Sequence, residues 1–188
     1  MKQVPRRTVA SPLPEYLEQK QVEALLVQAP HAQARLLMLA QWRAGLRVSE
    51  TLHLEVPDLN FTQDNPTLRV RHGKGNKERL VPMHPELASA FRHFLDYSDK
   101  KGRIFSRSRT SAWRWVQSAL ERAQQLRQVP QGKKVGTHTL RHSAARHWLA
   151  SGVPINHVQR WLGHASITTT LIYLEILPDP VGYMDRVP

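Results

Sequence analysis

The feature that most constrains the fold of this chain is a series of helix-stop residues that divides its apolar side chains into short segments. Gly45, Gly152 and Gly163 each follow a segment in which apolar residues recur at helical spacing, and Pro178 follows the last one. No segment is long enough for an extended helix, so we predict a set of short helices packed on one another. These predicted helices are 15–29, 32–44, 85–97, 111–120, 138–150, 154–162 and 167–177.

A pattern typical of β-strands interrupts the helical pattern between residues 52 and 82. The runs 52–61, 67–72 and 78–82 are short and β-prone, and Gly73-Lys74-Gly75-Asn76 separates the last two. Glycine and asparagine tolerate the backbone of a tight turn, so this spacing predicts a β-hairpin. The expected fold is therefore mainly α with a small antiparallel β-sheet (α+β).

Length and composition bound the organisation and the chemistry. The 188 residues fit one domain, 15–177, preceded by a basic proline-containing arm or linker, 1–14, and followed by a tail, 178–188. The chain has no cysteine, which excludes disulfides, thiolate metal sites and cysteine nucleophiles. It also lacks the roughly 20 consecutive apolar residues of a membrane helix. We expect no membrane association and a cytoplasmic protein.

The charge balance points to a polyanionic partner. There are 27 Lys and Arg against 15 Asp and Glu, a formal net charge of +12, with the excess spread over the whole length. Such a field favours DNA or RNA. An ordinary basic protein without a nucleic-acid partner is the alternative that charge alone leaves open.

A metal-free protein that cuts a phosphodiester needs a nucleophile, cations around the phosphate, and an acid for the leaving oxygen. Arg47 follows the helix stop at Gly45, and Glu50 lies three residues on, where it can orient the guanidinium if the segment is helical. Lys74 lies at the tip of the predicted hairpin, where a mobile amine suits a general acid. A surface ion pair and a solvated turn are the alternatives for these two motifs.

The C-terminal third holds further candidates. His138 and Arg141 lie three apart at the start of a predicted helix, whose N-terminal dipole favours an anion. His164 follows the helix stop at Gly163, and Tyr173 lies nine residues later. Taken singly, a tyrosine among apolar neighbours is more often a core residue, and a histidine beside a stop glycine is more often structural.

The sequence disfavours two other classes of site, a zinc site and a serine-hydrolase site. His138, His142, His147 and His164 suggest zinc, but no acidic residue or cysteine lies close in sequence to complete a tetrahedral set, and nearby arginines would repel a cation. A serine hydrolase would need a serine in a glycine-flanked elbow, which is missing. We therefore expect no metal and no cofactor.

The motifs taken together resemble the catalytic domain of tyrosine recombinases, the phage integrase family, and its Xer-like branch in particular. The resemblance rests on Gly-Leu-Arg-Val-Ser-Glu, Gly-Lys-Gly-Asn-Lys-Glu-Arg, His-Thr-Leu-Arg-His, Leu-Gly-His and a tyrosine nine positions later, in that order. It covers about 13–177 and implies that 15–177 is the catalytic domain. It also implies a site-specific recombinase or integrase, of the kind found in mobile elements, that cleaves and rejoins double-stranded DNA through a 3′-phosphotyrosine. Such an enzyme needs neither ATP nor metal.

The resemblance also implies a role for each matching residue. Arg47 and Arg141 would clamp the scissile phosphate, with Glu50 supporting Arg47 from behind. Tyr173 would be the nucleophile. The remaining roles are a hydrogen bond to the phosphate from His164, protonation of the leaving 5′ oxygen by Lys74, and acid or base assistance to the phenol by His138.

Assembly and partners follow from the same resemblance. We expect a homo-tetramer on DNA, a monomer or weak oligomer when free, and accessory DNA-binding proteins. The C-terminal segment 174–188 would dock on a neighbouring protomer or pack back on its own domain. A type IB topoisomerase and a non-catalytic DNA-binding regulator of the same fold stay open as alternatives. Basic residues outside the site that are candidates for DNA-backbone contacts are Arg107, Arg109, Arg114, Lys133 and Lys134.

Overall fold

The computed structural model describes residues 14–62, 64–71 and 78–177. They form short α-helices around one three-stranded antiparallel sheet, which confirms the predicted fold class. The α-helices are α1 (Gln19–Val27), α2 (Ala32–Arg43), α3 (Val48–Leu52), α4 (Pro85–Asp96), α5 (Arg109–Gln125), α6 (Thr139–Ala150), α7 (Ile155–Leu162) and α8 (Thr168–Leu171). The strands are β1 (Leu59–Asn60), β2 (Thr67–Val70) and β3 (Arg79–Pro82), and two 3₁₀ turns cover Val56–Asp58 and Leu174–Ile176.

Helix α2 lies at the centre of the hydrophobic core. It packs against α1, α3, α4, α5 and α6, and the side chains of Leu37, Met38, Leu39 and Trp42 are almost fully buried. A helix that is apolar on most of its circumference is stable only when it is covered on all sides. Burial of each large apolar side chain contributes about 1.5–3 kcal/mol. The core therefore fixes α2, and with it the loop that leads into the site.

The small sheet is set by alternating apolar residues in β2. Leu68 and Val70 are buried, and Leu68 pairs with Val81 of β3 in an antiparallel ladder. This antiparallel pairing is the one that the hairpin prediction requires of β2 and β3. The predicted hairpin tip, with Lys74, lies outside the described residues. So do the tail and all of the arm except Pro14.

The prediction of a β-strand over 52–61 was wrong for most of its length. Leu52 ends α3, a 3₁₀ turn occupies Val56–Asp58, and only Leu59–Asn60 pairs with β2. Local capping explains the difference. Pro57 has no N–H to give to a sheet, and the Asp58 carboxylate accepts a hydrogen bond from the backbone N–H of Glu55 at 3.0 Å.

A further difference concerns the last predicted helix. The predicted last helix, 167–177, is divided into α8 and the 3₁₀ turn Leu174–Ile176, with Tyr173 between them. Within the described ranges, none of the helices combines the length and the apolar character that crossing a bilayer would demand.

Candidate active site

The carboxylate of Glu50 forms the base of the site. Arg47 is the N-cap residue of α3 and Glu50 is its third residue, so Glu50 Oε2 accepts the Arg47 backbone N–H at 2.8 Å and Oε1 accepts Arg47 Nη1 at 2.7 Å. The Glu50 side chain is only 2% exposed. Burial raises the pKa of this carboxyl, but the hydrogen bonds and charge of Arg79 outweigh burial, and the pKa is lowered to about 2.

Arg79 is a functional candidate that sequence reasoning missed. Its Nη1 and Nη2 form a two-pronged ion pair with the Glu50 carboxylate at 2.9 and 2.8 Å, and its Nε donates to the backbone oxygen of Trp161 at 2.8 Å. The sequence did contain a signal. Arg79 lies two residues before the buried Val81, so strand alternation turns it toward the interior, where a cation needs a carboxylate.

Arg141 of α6 is held by main-chain oxygens at two helix ends. Nη1 donates to Gly45 O and Nη2 to Leu162 O, both at 2.6 Å, and the side chain is 3% exposed. The C-terminal ends of helices carry partial negative charge, which favours a guanidinium there. Burial, followed by the charge of Arg47, lowers the pKa of Arg141 to about 9, so the group remains charged at neutral pH.

Two stop glycines allow these close approaches. Gly45 and Gly163 have φ of 60° and 66°, in the left-handed region that glycine adopts without strain. A Cβ on Gly45 would lie 2.8 Å from Trp148, and one on Gly163 would lie 3.0 Å from the guanidinium of Arg79. Gly45, which follows α2, therefore leaves room for Trp148, and Gly163, which ends α7, leaves room for Arg79.

Tyr173 lies between two histidines at the end of α8. Its side chain is 1% exposed, its hydroxyl is 2.7 Å from His142 Nδ1, and its ring is nearly parallel to that of His164, with centroids 6.4 Å apart. His164 Nδ1 in turn lies 2.9 Å from the hydroxyl of Thr170. Burial raises the pKa of Tyr173, and the charges of Arg141 and Arg47 act in the opposite direction.

The histidines of the site are kept neutral by their surroundings. Burial lowers the pKa values of His142 and His164 to about 4, and the neighbouring basic groups, first His138 for His142 and first Arg141 for His164, act in the same direction. His138 is the N-cap residue of α6, and its pKa is also lowered, first by burial and then by Arg141 and Arg109. Its ring centroid is 6.3 Å from that of His142. Neutral imidazoles can accept protons, which imidazolium ions cannot do.

The structure thus gathers residues from distant parts of the sequence into one basic cluster of side chains around a phenol, hereafter the pocket. Lys74, the sixth candidate for catalysis, lies outside the described residues. The sequence gives His142 no role in catalysis, because its contact with Tyr173 depends on how α8 packs. The predicted residues that meet in the pocket are Arg47, Glu50, His138, Arg141, His164 and Tyr173.

The candidates for DNA-backbone contacts divide into two groups. Arg107, Arg109, Arg114 and Lys134 are exposed, and Arg109 lies close enough to the pocket to lower the pKa of a histidine there. Lys133 has partners of its own. Its Nζ is 3.1 Å from a carboxylate oxygen of Glu15 and 5.4 Å from the centroid of the Tyr16 ring. An amine that is already paired gains less from a phosphate.

Comparison with known proteins points in the same direction as the geometry. A family model described as "Phage integrase family" matches residues 15–178. Among curated relatives, a tyrosine recombinase of Thermosipho africanus is 30% identical over 184 residues, which cover 94% of this chain and 62% of the relative. The tyrosine recombinase XerA of Pyrococcus furiosus is 34% identical over 176 residues, covering 87% of this chain and 58% of the relative. The chain spans about six tenths of the length of these relatives.

Solved structures give a matching result. A crystal structure of XerA recombinase superimposes with a TM-score of 0.71 at 26% identity, covering 97% of this chain and 68% of the other. The catalytic domain of bacteriophage HP1 integrase gives a TM-score of 0.68 at 24% identity, covering 93% of this chain and 95% of the other. At that identity the second likeness concerns the fold alone.

Proposed function

The chain belongs to the phage integrase family of tyrosine recombinases, and on that premise we propose that it is a site-specific recombinase that breaks and rejoins DNA strands through Tyr173. The observation that carries the proposal is the placement of this phenol. Its hydroxyl is hydrogen-bonded to an imidazole at 2.7 Å, inside a pocket whose guanidinium charges act directly on its pKa. A core tyrosine needs a polar partner but not a set of cations.

The arginines supply the binding of the phosphate. Arg141 uses one N–H of each terminal nitrogen on main-chain oxygens, which leaves its other N–H groups to donate to a phosphate oxygen. Arg47 is 22% exposed and presents the more open guanidinium. Rigid donors stabilise the extra negative charge of a five-coordinate phosphorus without reorganisation. Glu50 contributes by fixing Arg47 in place.

The remaining groups move or hold protons. If the Thr170 hydroxyl donates to His164 Nδ1, the Nε2 of that ring carries the hydrogen and can donate it to the phosphate. A tyrosine hydroxyl has a pKa near 10 in water and is a weak nucleophile until a base takes its proton. We assign protonation of the leaving 5′ oxygen to Lys74 and assistance to the phenol to His138, as the family resemblance implies. No step requires a metal or ATP.

The partner in this proposal is double-stranded DNA. Structures that superimpose on this chain include a XerH recombinase bound to its difH substrate and a Tn1549 transposon integrase in complex with DNA. We extend to this chain a homo-tetramer assembled on DNA, weak association when free, and accessory DNA-binding proteins. The named relatives are recombinases and integrases, which gives no support to a topoisomerase or to a non-catalytic regulator.

A selection for covalent attachment tests the proposal without knowledge of the target site. Wild type and Tyr173→Phe are each mixed, at low salt, with a pool of duplexes that carry a nick within random sequence. The short strand released beside the nick cannot be rejoined, so the phosphotyrosine accumulates. The proposal is supported if DNA stays attached to the wild-type protein through a denaturing wash but does not stay attached to the phenylalanine variant.

Three results would contradict it. Recovery by both proteins would remove Tyr173 as the nucleophile. Specific binding without any covalent product would favour a regulator. Relaxation of every supercoiled plasmid, without a preferred site or pairing of two sites, would favour the topoisomerase alternative.

A further inference from the structure

The hydroxyl of Tyr173 is hydrogen-bonded to a histidine to which the family resemblance gives no role. We propose that His142 is a catalytic residue and that its Nδ1 accepts the phenol proton when Tyr173 attacks the phosphate. The hydrogen bond between these two atoms is 2.7 Å long, within the range of direct proton transfer. This inference rests on the proposed function and adds to it the atom that receives the proton.

The geometry favours His142 over His138 for this step. The rings of His142 and Tyr173 have centroids 5.8 Å apart, and the ring of His138 is a further 6.3 Å from that of His142. His138 lies at the exposed start of α6, whereas His142 is half-buried one turn into the helix, facing Tyr173. The hydroxyl therefore meets His142 first, with His138 one ring further toward solvent.

The surroundings keep His142 unprotonated at neutral pH, which leaves it able to accept a proton although burial weakens it as a base. Burial, followed by the nearby His138 and Arg141, lowers its pKa to about 4. His164, after α7, also faces it closely enough for the two rings to influence each other, and Tyr173 faces it from the turn after α8. At neutral pH the ring is therefore uncharged. Burial also keeps the phenol protonated, and we assign to His142 the tautomer with its hydrogen on Nε2, in which the hydroxyl donates and Nδ1 accepts.

A bound phosphate makes the transfer easier. The anion adds negative charge beside the pocket and stabilises the imidazolium that forms. In the step, the bond from Tyr173 Oη to phosphorus forms, the bond from phosphorus to the 5′ oxygen breaks, and the Oη proton moves to His142 Nδ1. The 5′ oxygen takes its proton from Lys74. In rejoining, the 5′ hydroxyl attacks phosphorus and gives its proton back to Lys74, the bond from phosphorus to Oη breaks, and His142 returns its proton to Oη.

The variant His142→Asn separates a base from a hydrogen-bond partner. The amide can still bond the hydroxyl but has no proton affinity near neutral pH. On a nicked duplex obtained from the covalent selection above, we expect DNA binding to be unchanged and the single-turnover rate of adduct formation to fall by about 10²–10⁴-fold. His147→Asn is the matched control. It alters another half-buried histidine of α6, whose ring lies 5.0 Å from that of Trp42, and should cleave like wild type.

Chemical rescue distinguishes catalysis from a structural role. In His142→Ala, added imidazole should restore adduct formation in proportion to its concentration, and the same treatment should not accelerate wild type. A nitrogen NMR spectrum of histidine-labelled wild-type protein gives a second test that needs no variant. We expect the His142 Nδ1 to carry no proton at neutral pH.

The outcomes of the two proposals are separable. If wild type forms no adduct, the recombinase proposal fails and this inference fails with it. If wild type forms the adduct, equal rates for wild type and His142→Asn overturn the inference alone. Rescue of His138→Ala but not of His142→Ala, or a proton on Nδ1 at neutral pH, would also overturn it.

Discussion

Replacement of Glu50 by glutamine gives the sharpest test of how the pocket is held together. The carboxylate bonds Arg47 and Arg79 and lies 3.6 Å from Arg141, so it is shared among three cations. In Glu50→Gln the shape remains but the charge is lost, and the amide group presents N–H to guanidinium donors. The three arginines then repel one another without a buried anion between them.

The pKa of Glu50 gives the magnitude. It falls from an ordinary 4.5 to about 2 on folding. At about 1.4 kcal/mol per pKa unit, this difference corresponds to about 3 kcal/mol of folding free energy. Removal of one partner from a buried pair costs about 3–5 kcal/mol in other proteins, which agrees. Because the folded pKa is depressed, this stabilisation is complete above pH 4.5 and is lost as the pH falls toward about 2.

Urea unfolding of both proteins over a pH series measures the effect. At pH 7 we expect Glu50→Gln to be about 3 kcal/mol less stable than wild type, and we expect the difference to shrink between pH 4.5 and pH 2. Glu86→Gln is the matched control, because its pair with Arg43 is 36% exposed on the acidic side and should contribute at most about 1 kcal/mol. A Glu50→Gln protein within about 1 kcal/mol of wild type at pH 7, or a difference independent of pH, would refute the reasoning.

Three further predictions concern the edges of the site. Arg79→Lys cannot form the two-pronged pair and should slow adduct formation with little change in DNA affinity; unaltered cleavage kinetics would exclude a positioning role. Gly163→Ala should lose at least about 1 kcal/mol of unfolding free energy in thermal or urea unfolding, because Gly163 has φ 66° and an added Cβ would lie 3.0 Å from that guanidinium. Gly102→Ala, with open space around its Cβ, should show no such loss, and equal losses in the two variants would contradict the strain argument. Arg109→Gln should lower the slope of log affinity against log salt by about one unit, and the paired Lys133→Gln should leave it nearly unchanged; the reverse ranking would count against this assignment.

The sequence predicted those parts of the site that depend on short-range order. The glycine at position 45 ends one helical segment, and the next helix starts at once, so the contact of Arg47 with Glu50 follows from a spacing of three. The predicted strand over 52–61 failed for a local reason as well, since capping by Asp58 competes with strand pairing.

Contacts between distant segments could not be predicted in this way. Arg79 and Glu50 are separated by 29 positions, and His142 and Tyr173 by 31. Their meeting depends on how β3 and the turn after α8 pack against the helices, which periodicity does not encode. Arg79 and His142 each end one of the motifs that carry the resemblance, but the resemblance gave a role to neither of them.

The end of α7 has a consequence for how tolerant this pocket is to change. Arg79 and Arg141 are fastened there to the carbonyl oxygens of Trp161 and Leu162, and every amino acid has such an oxygen. These hydrogen bonds therefore depend on the path of the main chain and not on the side chains at positions 161 and 162. Substitutions at these two positions should leave both guanidinium groups in place, provided that α7 still forms and still ends in a left-handed residue.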